Sequence, residues 1–135
     1  MNLDGMQVYH VGEGPKCILW CYDIFGFVPG TCGRTRELAD HVADNGYLVV
    51  MPDFYRGGHC DPSKAEQSAL VEFIQKNTQL DKVDADLDKA VEFAKSKGAN
   101  SFGAIGTCWG SVAVMRASRD IGEFNTRVGV SCCDF

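Results

Sequence analysis

The residues with the clearest chemical meaning are Gly106-Thr107-Cys108-Trp109-Gly110. A short apolar stretch, Ser101 to Ile105, precedes them and reads as a strand. Ser111 to Arg119 follows and is apolar enough to read as a buried helix. This is the G-x-S-x-G nucleophile elbow with cysteine in place of serine. A strand that turns directly into a helix strains the backbone of its central residue. It also brings the residues two before and two after into contact, so both must be glycine. The unsatisfied N–H groups and positive end of the helix then favour a thiolate over a thiol. The N–H of Trp109 would point at the oxygen of an attacked carbonyl. The chemistry implied is nucleophilic attack by sulfur on an acyl carbon. The same string also reads as a tight turn around an inert buried cysteine. With 15 Gly and 7 Cys in the chain, the string alone is weak, and its place between strand and helix gives it weight.

Other uses of these residues fit less well. Gly103-Ala104-Ile105-Gly106 does not match the G-x-G-x-x-G dinucleotide fingerprint, and its strand lies late in the chain. The cysteines, Cys17, Cys21, Cys32, Cys60, Cys108, Cys132 and Cys133, are odd in number and irregular in spacing. They form no C-x-x-C motif, and His59-Cys60 has no second pair at zinc spacing, so neither a metal site nor a disulfide framework is expected. A redox-sensing role for Cys108 would need a resolving thiol, and no C-x-x-C partner supplies one.

Alternating strand and helix signals must position the turn. Cys17-Ile18-Leu19-Trp20-Cys21, within Lys16 to Tyr22, and Tyr47-Leu48-Val49-Val50-Met51 read as strands buried on both faces. Phe25 to Gly30 is a loop, and Arg34 to Asn45 a helix ended by Gly46. Pro52 closes the second strand, and Asp53 to Asp61 is loop. Ser63 with Glu66 reads as a capping box. Leu80 to Lys97 is the best helix, with Leu80, Val83, Leu87, Ala90, Val91 and Ala94 in one stripe and Gly98 behind it. Arg127 to Cys133 is a last strand. This alternation predicts an α/β fold, a mostly parallel sheet with helices on both faces.

Composition narrows the partners. The net charge of -5 gives no reason to seek nucleic acid. No apolar run is long enough to span a membrane, and the N-terminus lacks the features of a signal peptide, so the expected location is cytoplasmic.

Four stretches in order, Asp23-Ile24-Phe25-Gly26, Asn45-Gly46-Tyr47, Met51-Pro52-Asp53-Phe54-Tyr55 and Gly106-Thr107-Cys108-Trp109-Gly110-Ser111, make the chain resemble the dienelactone hydrolase (carboxymethylenebutenolidase-like) family of α/β-hydrolases. The resemblance covers Lys16 to about Val130. It implies hydrolysis of small lactones or esters by a Cys-His-Asp triad, without a cofactor. Cys108 would be the nucleophile, with the backbone N–H groups of Ile24 and Trp109 as oxyanion donors. Asp23 matches an acidic position near the nucleophile; it also reads as a loop cap. Tyr55 and Arg56 would wall the substrate site, although Arg56 stands one residue before the family's carboxylate-binding arginine.

The family places its acid and histidine after the nucleophile, whereas His10, His41 and His59 all precede Cys108. His59, in a loop after a strand, is the histidine expected nearest the site, and Asp134 does not match the acid position. The expectation is therefore a single partial domain over residues 1–135, lacking the C-terminal strands and helices. Such a chain would be inactive or limited to single turnover. The alternative is a non-catalytic binding or interaction protein that self-associates through its exposed last strand.

Overall fold

The computed structural model describes residues 1–30, 34–61, 63, 66–77, 79–120 and 124–130, with backbone alone from residue 118 onward. Cys32, Cys132, Cys133 and Asp134 lie outside the described residues. Ten elements follow in order: β1 (Asn2–Leu3), β2 (Met6–Val11), β3 (Lys16–Cys21), α1 (Thr35–Ala43), β4 (Leu48–Pro52), α2 (Gln67–Asn77), α3 (Leu80–Ser96), β5 (Ser101–Thr107), α4 (Gly110–Asp120) and β6 (Phe124–Val130).

The described strands form one sheet in the order β1-β2-β4-β3-β5-β6. β3 pairs in parallel with β4 and β5, and β5 with β6. The antiparallel edge made by β1 and β2 was not expected from the sequence. β4 is buried along its whole length, because strands flank it and helices cover both faces. Right-handed crossovers account for the layers. β3-α1-β4 steps one way across the sheet, whereas β4-α3-β5 and β5-α4-β6 step the other way, so α1 lies on the face opposite α3 and α4. α3 and α4 also touch each other, and the Arg116 guanidinium grips the Asp84 carboxylate with Nη2 at 2.5 Å and Nε at 3.2 Å. On the other face, the Tyr9 hydroxyl donates to Asp40 of α1.

Several local expectations change. The capping box gives way to an Asx turn, in which Asp61 Oδ1 accepts from Ser63 N at 2.9 Å and from Ser63 Oγ at 2.7 Å. α2 begins later, with the Glu66 carbonyl accepting from Leu70 N at 3.1 Å. In α3, Leu80 is 42% exposed, while Asp86 and Phe93 join the buried face. α3 ends in a Schellman motif, with Gly98 at φ 95, Ala99 N to Ala94 O at 3.1 Å and Gly98 N to Lys95 O at 2.9 Å. In α4 the buried stripe is Ala113, Val114 and Ala117, and Val112 and Met115 face solvent. The last strand starts three residues earlier than expected, at Phe124. Among the described residues, no helix is long and apolar enough to cross a membrane.

Candidate active site

Cys108 sits on the bend between β5 and α4 with φ 52, a left-handed conformation that non-glycine residues seldom adopt. It is half-buried, whereas Cys17, Cys21 and Cys60 are buried. The glycines beside it are sterically required. A Cβ on Gly106 would lie 2.5 Å from the Gly110 carbonyl oxygen and 2.7 Å from Ser111 Cα. A Cβ on Gly110 would lie 2.0 Å from the Cys21 carbonyl oxygen and 2.8 Å from that of Tyr22. The first turn of α4 closes through Ser111 N to Cys108 O at 3.0 Å and Val112 N to Trp109 O at 2.9 Å. Ser111 Oγ donates to the Gly106 carbonyl at 3.1 Å.

The Gly110 contact brings the rest of the site together. β3 and β5 run in parallel with Cys21 opposite Gly106, so the chain leaves both strands at the same end of the sheet. Tyr22 to Ile24 therefore starts against the elbow. Asp23 is half-buried, and its Oδ1 accepts the Phe25 N–H at 2.9 Å. Burial raises the Asp23 pKa above the ordinary carboxylate value, and the Phe25 bond offsets this in part. Ile24 is buried, and its carbonyl accepts from Cys60 N at 2.8 Å. Burial also pushes the Cys17 and Cys21 thiols up to about 12, so both stay protonated near neutral pH.

An aromatic cluster joins three loops at this end. Tyr22 stacks on Phe27 at 5.8 Å, Phe54 meets Trp109 at 5.6 Å, and Tyr55 lies 5.3 Å from Trp109 and 5.4 Å from Tyr22, all between ring centroids. Beneath it, buried Asp53 takes the Tyr22 hydroxyl at 3.2 Å and Gly57 N at 2.7 Å. Burial raises the Asp53 pKa, opposed first by the Gly57 bond. Neither Asp53 nor Tyr22 stood out as a site residue in the sequence. The signal for Asp53 was its place directly after a buried strand closed by proline.

Arg56 is committed to the protein. Its Nη1 donates to the Asp53 carbonyl at 2.7 Å and to Asp86 Oδ2 at 2.9 Å, and its Nη2 to Asp86 Oδ1 at 2.6 Å. Tyr55, Arg56 and His59 line an open cavity of about 520 Å³ together with Phe73, Glu72 and Lys76. His10 lies on β2 against Phe93, with ring centroids 5.1 Å apart, and exposed His41 lies in the last turn of α1.

The raised Asp23 pKa makes a prediction. Ionised Asp23 is destabilised in the fold, so its contribution is best below the unfolded value of about 4 and declines as pH rises through the higher folded value. Asp23→Asn keeps an oxygen for Phe25 N–H but carries no charge. Its melting temperature relative to wild type should be higher at pH 7 than at pH 4. A difference that does not change with pH would contradict the assigned cause.

The family model described as the dienelactone hydrolase family matches residues 6–130. The carboxymethylenebutenolidase homologs of Pongo abelii and Homo sapiens are each 33% identical over 121 residues, covering 88% of this chain and 46% of theirs. The chain thus spans about half the length of the curated relatives it matches. A crystal structure described as a putative dienelactone hydrolase from Klebsiella pneumoniae is 26% identical, with a TM-score of 0.69 over 92% of this chain and 54% of that one. A cold-adapted esterase from an Arctic intertidal metagenomic library shares the fold at 12% identity, with a TM-score of 0.71 over 96% of this chain and 62% of its own. An elbow of this geometry within a match that runs through five strands, β2 to β6, and the nucleophile turn leaves one assignment: the chain belongs to the dienelactone hydrolase family.

Proposed function

We propose that this chain carries the nucleophile-bearing part of a hydrolase for small lactones or esters, with Cys108 attacking the acyl carbon. The carrying observation is Cys108 at φ 52 on a strand-to-helix bend that Gly106 and Gly110 alone make sterically possible. The N–H groups of Ile24 and Trp109 would hold the developing oxyanion, a reading supported by the packing of Gly110 against Cys21 and Tyr22. Asp23, with its raised pKa, would hydrogen-bond the resting thiol as a neutral or shared-proton partner. Tyr55, packed against Trp109 of the elbow, would line the substrate side, with Arg56 beside it as wall and field because its guanidinium is already engaged by Asp86. Attack breaks the acyl–oxygen bond and leaves a thioester on Cys108; water must then release the acid. That release would need a general base to activate the water.

Mass spectrometry after brief exposure to an activated ester tests this. One acyl group should appear on Cys108, and none on Cys17 or Cys21. Cys108→Ser should abolish the rapid phase. Labelling spread evenly over the thiols would rule out the site.

A second reading is kept by one observation: among the described residues, β6 lies at the edge of the sheet. An open edge invites pairing with another chain. Light scattering would show a dimer under this reading and a monomer otherwise.

A further inference from the structure

Two loops leave the sheet beside the elbow, and one fastens the other on both sides of Asp23. Asp53, the residue after β4, is 2% exposed, and its Oδ1 accepts the hydroxyl of fully buried Tyr22 at 3.2 Å. At the far end of the same loop, the Cys60 N–H donates to the Ile24 carbonyl at 2.8 Å. The Tyr22–Ile24 segment is thus tied down before and after Asp23. Among the described residues the Ile24 N–H, which lies between those ties, donates to none.

The loop that begins at Asp53 also meets the residue of the other proposed donor. Phe54 and Tyr55 set their rings 5.6 and 5.3 Å from that of Trp109. The elbow touches the Tyr22 side as well, since a Cβ on Gly110 would lie 2.8 Å from the Tyr22 carbonyl oxygen. Asp53 holds its own loop in shape. Its Oδ2 accepts the Gly57 N–H at 2.7 Å, and its carbonyl accepts from Arg56 Nη1 at 2.7 Å. That turn carries Arg56 at φ 54, a conformation that persists only where the surroundings hold it. One buried carboxylate therefore joins the segment that carries Ile24 to the loop packed on Trp109.

We propose that Asp53 is a positioning residue, acting through the Tyr22 hydroxyl to fix the Ile24 N–H at the spacing from the Trp109 N–H that an oxyanion requires. The inference rests on Cys108 being the nucleophile and on Ile24 and Trp109 being the donors.

Two reactions at the same sulfur separate positioning from general damage. Acylation by an activated ester builds negative charge on the carbonyl oxygen, whereas alkylation by iodoacetamide expels iodide and builds none there. Mass spectrometry follows both rates at Cys108 in wild type, Tyr22→Phe, Asp53→Asn and the double variant. Tyr22→Phe keeps the ring and should slow acylation about tenfold, short of the roughly hundredfold cost of losing an oxyanion donor outright. Its alkylation rate should not change. Asp53→Asn leaves one acceptor oxygen for two donors and should slow acylation in the same way. The double variant should be no slower than the slower single. If Asp53→Asn does not fold, Tyr22→Phe decides alone. Tyr9→Phe, which removes a hydroxyl bond to Asp40 of α1, is the control and should change neither rate. Unchanged acylation in Tyr22→Phe, equal slowing of both its reactions, or acylation slowed as much in Tyr9→Phe would overturn the proposal alone. Wild-type Cys108 acylated no faster than Cys17 and Cys21 would instead overturn the nucleophile reading.

Discussion

Gly110→Ala should cost about 3 kcal/mol or more, the upper end for forcing atoms into a filled interior. The added Cβ would stand 2.0 Å from the Cys21 carbonyl oxygen and 2.4 Å from its carbon, and both are backbone atoms of a buried strand. Flexible side chains yield to such an intrusion, but a strand bonded to two neighbours does not. Relief would require α4 to back away from β3, separating the elbow from Tyr22 to Ile24. The variant should therefore lose rapid acylation of Cys108 even under conditions where it remains folded. Gly106→Ala should behave alike, with its Cβ 2.5 Å from the Gly110 oxygen. Val112→Ala, at a side chain 39% exposed on the same helix, should shift stability far less. Urea unfolding with an unchanged slope measures all three. Equal midpoints for Gly110→Ala and Val112→Ala would contradict the steric account.

Arg56→Ala should cost about 3 kcal/mol, the lower end for breaking a buried ion pair from one side. The two partners are not equivalent. The Arg56 side chain is 30% exposed and reaches water, whereas that of Asp86 is 3% exposed. Removing the arginine strands a carboxylate in the interior; removing the aspartate leaves a guanidinium that water can solvate. Asp86→Ala should therefore cost clearly less than Arg56→Ala, and the double variant less than the sum of the two. Chemical denaturation of the four chains checks the order. The reverse order would mean that Arg56, not Asp86, is the desolvated partner.

Local sterics made the elbow legible. Two glycines around Cys108 are a requirement of the turn itself, and the strand before and the helix after could be read on either side. The buried runs at Cys17 to Cys21 and Leu48 to Met51 were equally plain, since both faces of those strands are covered. Met6 and Val8 alternate with Gln7 and Tyr9, a period-2 signal too short to separate β2 from a loop. Long-range pairing left no such trace. Asp86 is not part of the apolar stripe read for α3, and its burial makes sense only through Arg56, thirty residues earlier. Ser63 matched a capping pattern, but Asp61 offered its backbone and hydroxyl a nearer acceptor. The approach of the Cys21 and Tyr22 backbone to Gly110 arises from strand order, which no spacing along the chain encodes.

The strand order also sets when the sheet can close during synthesis. β4 ends at residue 52 and pairs with β2 and β3, but the other side of β3 waits for β5, which ends at residue 107. A ribosome adding about 5–20 residues per second takes roughly 3–11 s to supply those intervening residues. Through that interval the nascent chain carries Cys17 to Cys21 with one lateral neighbour missing and the bend that bears Cys108 not yet made. A chaperone that binds short apolar segments would find its target there, before the elbow closes.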